Sequence, residues 1–314
     1  MAALGRPGYI TLDRSSIFGS GDRSISLMQD QANRVMDALF AQPNVLPWLD
    51  CARSYGLSEK FVGEYLRSHQ VDPSSVYVSS KWGYTYVADW NVELAPGAKH
   101  EVKDHSAENF RRQVEETAEL IGEYVDLYQI HSATFDSGIL TNQEAHQALA
   151  ECRNQRGWKI GLSVSGPDQD EIIRAAMKIR VNDEPLFDSV QCTFNLLEQR
   201  PRKALQEASQ SGMDIVIKEA MANGRVFRND NVQALAKELA CEIDQLAMGY
   251  VLAQDFGARV LSGAVTPEQL QSNLESMRVC DQLRSDRALL ERISKACAVD
   301  SEGYWSERSA LAWN

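Results

Sequence analysis

Four ionisable side chains stand where apolar runs of this chain end. Asp50 lies in the run 45–51, Tyr55 follows it by five residues, Lys81 closes 76–81 and His131 closes 125–131. A carboxylate at the rim of an apolar core is costly unless it is partnered. A phenol near it can donate a proton if its pKa falls from about 10 towards working pH. An ammonium within reach favours the phenolate. Asp50 can keep a partly buried Lys81 charged, and His131 adds a second donor, as the neutral ring or the cation. Together the four suit a reaction in which negative charge grows on a substrate oxygen and meets positioned donors. Taken singly, each has a plainer role: Asp50 and Lys81 a structural ion pair, His131 a core histidine, Tyr55 an amphipathic rim residue. Their conjunction points to one shared site.

The elements that must position these groups follow from periodicity. Short β-branched runs at 45–51, 76–81, 125–131, 159–163, 187–192, 213–217 and 258–262 read as strands. Helical patterns fall near 27–41, 58–69, 106–122, 142–156, 168–179, 200–211, 230–239, 243–254 and 267–277. The βαβα order has no composition break, which predicts one domain over 1–314 with a parallel sheet. Strands that are apolar nearly throughout fit a sheet covered on both faces. Polar residues at strand ends, among them Ser163 and Gln191, stand where a parallel barrel builds its active face. Pro201 and Pro267 sit near helix starts, and Thr266-Pro-Glu-Gln269 has capping-box spacing. Two stretches read as irregular: a long loop over 82–105 carrying Trp82, Tyr84, Tyr86 and Trp90, and a tail over 299–314 carrying Tyr304, Trp305 and Trp313. Their aromatics favour a lid.

Composition narrows the partners. The 314 residues carry 44 acidic against 32 basic side chains, net charge −12, with no basic cluster. That argues against nucleic acid or an anionic membrane as partner. No apolar run is long enough to span a bilayer, and the start of the chain lacks a signal pattern. Cysteines 51, 152, 192, 241, 280 and 297 form no Cys-x-x-Cys pair and have no histidine at zinc-ligand spacing. They read as reduced, mostly buried thiols of a cytoplasmic protein, with no metal.

These motifs resemble the aldo-keto reductase family. The matching pieces are Leu49-Asp-Cys-Ala-Arg-Ser-Tyr-Gly56, Val78-Ser-Ser-Lys81, Asp126-Leu-Tyr-Gln-Ile-His131, Ile160-Gly-Leu-Ser163, the strand around Gln191, and the segment from Ser262 to Asn273. They occur in family order over roughly 45–277. The resemblance implies a TIM-type (β/α)8 barrel that binds a nicotinamide cofactor, NADP(H) more than NAD(H), without a dinucleotide Gly-x-Gly-x-x-Gly turn. It implies reduction of an aldehyde or ketone, with Tyr55 as acid, Lys81 and Asp50 tuning it, and His131 orienting substrate. It assigns Ser163 and Gln191 to the nicotinamide carboxamide, Lys218 to the place of a stacking tyrosine, and Ser262, Gly263, Gln269 and Asn273 to the phosphates and adenosine.

The chain also departs from the family pattern. Val164 stands where an Asn is typical, Lys218 cannot stack as a Tyr does, and Gln269 replaces an Arg that many relatives set against a 2′-phosphate. The family's Gly-containing first strand precedes a segment like 3–9, so strand one is expected either to be truncated or to be supplied by residues 1–12. These departures motivate an alternative function, a nucleotide-binding regulatory barrel with weak or no turnover. A lyase using Lys81 as a Schiff base is disfavoured, because Asp50 should hold that amine protonated. Substrate identity, physiological direction and oligomeric state are not encoded in any motif.

Overall fold

The computed structural model describes residues 1–12, 23–43 and 45–314. Seven strands form one parallel sheet in chain order: β1 (Trp48–Asp50), β2 (Tyr77–Trp82), β3 (Val125–Ala133), β4 (Lys159–Val164), β5 (Ser189–Thr193), β6 (Asp214–Lys218) and β7 (Arg259–Val260). Helices alternate with them: α1 (Ile25–Phe40) precedes β1, and α2 (Ser58–Ser68), α3 (Ala107–Ile121), α4 (Gln143–Arg156), α5 (Gln169–Ala176) and α6 (Arg202–Gln210) each follow one strand. α7 (Asp230–Glu238) and α8 (Ile243–Leu252) lead to β7, and α9 (Pro267–Leu274), α10 (Ser276–Ser285), α11 (Arg287–Cys297) and α12 (Ser301–Ser309) follow it. Local chemistry sets these boundaries. Ser106 and Asn142 cap α3 and α4 by accepting from the N–H groups of Asn109 and Ala145, and Gly157, at φ 74°, ends α4 two residues before β4.

The sheet curls into the α/β barrel. Gln191 on β5 reaches Asp50 on β1 although three strands lie between them in the sheet. The two edge strands also approach each other, with the Arg259 guanidinium 5.2 Å from the centre of the Trp48 ring. Residues 1–12 supply no sheet strand; Ile10 makes an isolated bridge with Trp313. The segment crosses the C-terminal end of the sheet instead. The Met1 amino group donates to the Asp50 carbonyl at 2.8 Å, and Leu57 N–H donates to the Gly5 carbonyl. A Cβ on Gly5 would lie 2.4 Å from the Tyr55 carbonyl oxygen, so only glycine permits this approach.

The outer face of the sheet and the helices share an apolar core: Val78, Ile160 and Val190 from strands meet the helix layer of Phe61, Leu149 and Leu205, all fully buried. Each such side chain stabilises by about 1.5–3 kcal/mol. The inner face is polar, with Ser79, Lys81, Gln129, Ser189 and Gln191 all buried. Gly161 makes room for this row, since a Cβ there would sit 3.1 Å from the Gln129 side chain.

Several expectations need correction. Trp82 belongs to β2, and the following stretch is not irregular throughout: Tyr84–Tyr86 pairs antiparallel with Glu101–Lys103. Gly83, at φ 105°, turns the chain between them, and a Cβ there would collide with His105. The tail holds α12, capped by Asp300, whose side chain accepts from Gly303 N–H. The helix expected over 267–277 ends at Leu274, and two further helices, α10 and α11, occupy 276–297.

Candidate active site

Strand alternation places Asp50, Ser79 and Lys81 on the inner face at the C-terminal end of β1 and β2. Asp50 is 6% exposed and Lys81 0%. The Lys81 ammonium donates to Asp50 Oδ2 at 2.5 Å and to the Cys51 carbonyl at 2.9 Å. The other carboxylate oxygen accepts from Ser79 Oγ at 2.7 Å and from Gln191 Nε2 at 3.1 Å. Three donors on a buried carboxylate offset its desolvation.

Tyr55 lies beyond this pair, its ring centre 4.8 Å from Lys81 Nζ and 5.4 Å from the His131 ring, edge to face. Burial and then the Asp50 carboxylate push the phenol well above its ordinary range. The expected lowering by Lys81 is therefore not what this state of the site holds. Asp50 sits close enough to the ammonium to cancel much of its field at the phenol.

His131 is kept neutral. Burial drives its pKa well down, and the charges of Lys81, Arg6 and Lys218 add to the effect. Its Nδ1 lies 3.3 Å from Ser54 Oγ, and its carbonyl lies 2.9 Å from His105 Nε2. His105 is itself held down to about 4 by burial.

Gln191 Oε1 is buried without a partner, as are both polar atoms of the Gln129 amide and Ser189 Oγ. Ser163 Oγ accepts from Ser132 N–H, which leaves its hydroxyl hydrogen to donate. Lys218 ends β6 and donates to Thr193 Oγ1 at 2.6 Å and Ser165 Oγ at 3.0 Å. Burial lowers its pKa.

The segment Ser262 to Asn273 is closed on itself. Asn273 Nδ2 donates to Ser262 Oγ at 2.7 Å, and Ser262 Oγ also accepts from Ala264 N–H. Gln269 Oε1 accepts from Val265 N–H at 3.0 Å, so the Ala264 and Val265 amides are both engaged within the segment. The structure thus brings Asp50, Tyr55, Lys81, His131 and Gln191 into one cluster. It places Ser163 and Lys218 at the ends of β4 and β6, on either side of β5, and it leaves Ser262 and Gly263 in the loop beyond β7 and Gln269 and Asn273 on α9.

Arg6 escaped the sequence reading. It is 4% exposed, and its guanidinium lies 4.6 Å from the Trp313 ring centre and 5.3 Å from that of Tyr55. Nη1 donates to Glu101 Oε2 at 2.8 Å and to the Ser54 carbonyl at 2.7 Å. All these partners are remote in sequence, so no local motif marks it.

A parallel α/β barrel with ionisable groups gathered at the C-terminal ends of its strands defines the general class of a barrel enzyme. The family model "Aldo/keto reductase family" matches residues 17–288, and the chain belongs to that family, whose members are oxidoreductases that use nicotinamide cofactors on small carbonyl compounds. The chain is 23% identical over 270 residues to the NADH-specific methylglyoxal reductase of Escherichia coli strain K12, covering 77% of this chain and 81% of that protein. It is 22% identical over 320 residues to protein tas of the same strain, covering 84% and 90%. Among solved structures, the holo form of aldo-keto reductase AKR11C1 from Bacillus halodurans superposes with a TM-score of 0.64 at 22% identity, covering 87% of this chain and 90% of that one. No helix among the described residues is long and apolar enough to cross a membrane.

Proposed function

We propose that the protein reduces an aldehyde or ketone to the alcohol at the expense of a reduced nicotinamide nucleotide, with Tyr55 as proton donor. The observation that carries this reading is the buried Lys81–Asp50 pair, its ammonium 4.8 Å from the Tyr55 ring centre, with neutral His131 edge to face with the same ring at 5.4 Å. The nucleotide, when bound, supplies the hydride. Ser163 and Gln191 fit its carboxamide: Gln191 brings an orphaned acceptor and Ser163 a free hydroxyl hydrogen.

The protein's own part is charge management. A high phenol pKa keeps Tyr55 protonated at working pH, so it holds a proton until the substrate oxygen becomes basic. As hydride reaches the carbonyl carbon, the oxygen takes the Tyr55 proton, and the Arg6 guanidinium, with what Asp50 leaves of the Lys81 field, offsets the charge of the phenolate left behind. When Ser54 Oγ gives its hydrogen to Nδ1 of neutral His131, the ring carries its own hydrogen on Nε2 and has a second donor to offer the oxygen. Tyr55 then recovers its proton from solvent.

For the nucleotide, we favour NAD(H) over the NADP(H) that the family resemblance implies. The stretch 262–274 contains no Lys or Arg to meet a 2′-phosphate, and Gln269 is turned onto its own loop. The relative named for NADH specificity is in line with this. The Tyr55 phenol, pushed well above its ordinary range by burial and Asp50, favours, as second reading, a barrel that binds nucleotide with little turnover.

The test pairs a carbonyl panel with NADH and NADPH and the substitution Tyr55→Phe. Reduction should fall by about 10²–10⁴ with the circular dichroism unchanged. Survival of the rate within a few-fold would overturn the mechanism. Nucleotide binding without turnover across the panel would select the second reading.

A further inference from the structure

Strand register sets Lys218 relative to the carboxamide residues. Ser163 pairs with Gln191 and Gln191 with Val216, forming one row across β4, β5 and β6. Thr193 pairs with Lys218 in the row two residues nearer the C-terminal end, on the same face. The Lys218 ammonium crosses that second row, from β6 past Thr193 to Ser165 just beyond β4. A ring that offers its carboxamide to Ser163 and Gln191 must therefore lie against the Lys218 side chain.

Most charges around this place are paired. Lys81 is matched by Asp50 and Arg6 by Glu101. Arg308 is matched by Glu219, whose carboxylate lies 2.7 Å from Arg308 and 3.9 Å from Lys218. His131 is neutral. Lys218 takes two hydroxyl acceptors and shares a carboxylate that Arg308 already holds. Among the described residues here, Lys218 and Lys103, which donates to the Ser132 carbonyl, have no carboxylate to themselves, and Lys218 is the one that crosses the second row.

Building on the nicotinamide reading above, we infer that Lys218 sorts the nucleotide by oxidation state, holding the reduced form and repelling the oxidised one. The two forms differ by one positive charge on the ring that faces Lys218. The dihydronicotinamide ring is neutral and the oxidised ring is a cation, so a fixed ammonium in a partly buried setting penalises only the second. The site then retains reduced nucleotide and discharges the oxidised form after each turnover. A tenfold preference corresponds to a bound couple about 30 mV more oxidising than the free one. An aromatic residue at this place carries no such charge.

The experiment measures dissociation constants for NADH and NAD⁺, and for NADPH and NADP⁺, by quenching of tryptophan fluorescence. The proteins are the wild-type chain, Lys218→Met and Lys218→Arg, each checked by circular dichroism. The wild-type chain should bind the reduced form about tenfold more tightly than the oxidised. Lys218→Met should bring the ratio near one, mainly by tightening the oxidised form, and Lys218→Arg should keep it. If Lys218→Met does not fold, Lys218→Gln takes its place with the same expectation. A ratio that is the same in all three proteins overturns the inference and leaves the nicotinamide reading intact. Failure of the wild-type chain to bind any of the four nucleotides overturns both.

Discussion

The side-chain amide of Gln191 donates to Oδ1 of Asp50 at 3.1 Å, across the barrel interior and 141 residues along the chain. This bond ties Gln191 to the Lys81–Asp50 pair, so the row proposed to hold the carboxamide and the proposed acid share one carboxylate. Removing Lys81 alone (Lys81→Met) leaves a buried carboxylate with only neutral donors and should cost about 3–5 kcal/mol. Asp50→Asn should cost a similar amount by stranding the ammonium. The double variant should be less destabilised than the sum by about 2 kcal/mol. Urea unfolding of the four proteins measures this coupling. Strict additivity would show that the pair does not interact in the folded state.

Two neutral histidines give the fold an acid limit. His105 is held down to about 4 from its ordinary 6.5 by burial, and His131 is also driven well down. Below pH 6.5 the unfolded chain takes up protons that the folded chain refuses. Their contribution is therefore fully present above 6.5 and is lost as pH falls towards about 4. For His105, 6% exposed, the loss amounts to about 3 kcal/mol. Glu219, held near 2 despite its burial by Lys218 and Arg308, adds acid sensitivity only below its ordinary 4.5. In the interval from 6.5 to 5 these histidines act together with His146 and the Met1 amino group, whose pKa values burial also lowers. Unfolding free energies at pH 7.5, 6 and 5 should decline, and His105→Asn should flatten the decline. An equal slope in the variant would contradict the assignment.

The part of this molecule legible in sequence was the part written in local periods. All seven sheet strands and the helices from 25 to 252 stand close to where β-branched runs and apolar repeats put them, because each strand is covered on its outer face. The clustering of Asp50, Lys81 and His131 with Tyr55 was legible too, since strand ends are fixed points of a parallel barrel, three of these residues fall on or near them, and Tyr55 follows β1 by one turn. What local pattern could not carry was pairing at a distance. Arg6 has meaning only through Glu101, Tyr55 and Trp313. The high phenol pKa of Tyr55 follows from its burial and then from the Asp50 carboxylate, neither of which spacing fixes. Helix α12 was missed although Asp300 is a good N-cap, because its aromatics drew the eye to a lid rather than to a helix face that buries Tyr304 and Trp305.

Arg6 is the lever between the crossing segment and the acid. Arg6→Met removes the ion pair with Glu101 and should destabilise by about 1–2 kcal/mol, below the usual cost of a broken buried pair because Glu101 is 25% exposed. It also removes a cation that holds the Tyr55 phenol down against burial and Asp50. The alkaline limb of the carbonyl-reduction pH profile should therefore move to higher pH, while a purely structural role would lower the rate with the limb unmoved. The urea midpoint reads the first effect and the pH profile of kcat/KM the second.

Gln269 decides what the loop after β7 offers a nucleotide. Its Oε1 accepts from Val265 N–H, which removes a backbone donor from any bound anion and puts a neutral group where a 2′-phosphate would need a cation. Gln269→Arg reverses both conditions, freeing the amide and adding a guanidinium suited to bidentate phosphate contact. The ratio of NADPH to NADH affinity should rise by about tenfold, the scale of one charge-assisted contact on a partly exposed loop. Affinity for NADH itself should change little, because the adenosine ribose without a phosphate gains no partner. Fluorescence titration of both nucleotides against both proteins gives the ratio. If it is unchanged, the loop does not meet the adenosine end of the cofactor, and the preference for NAD(H) argued from its missing cation falls with it.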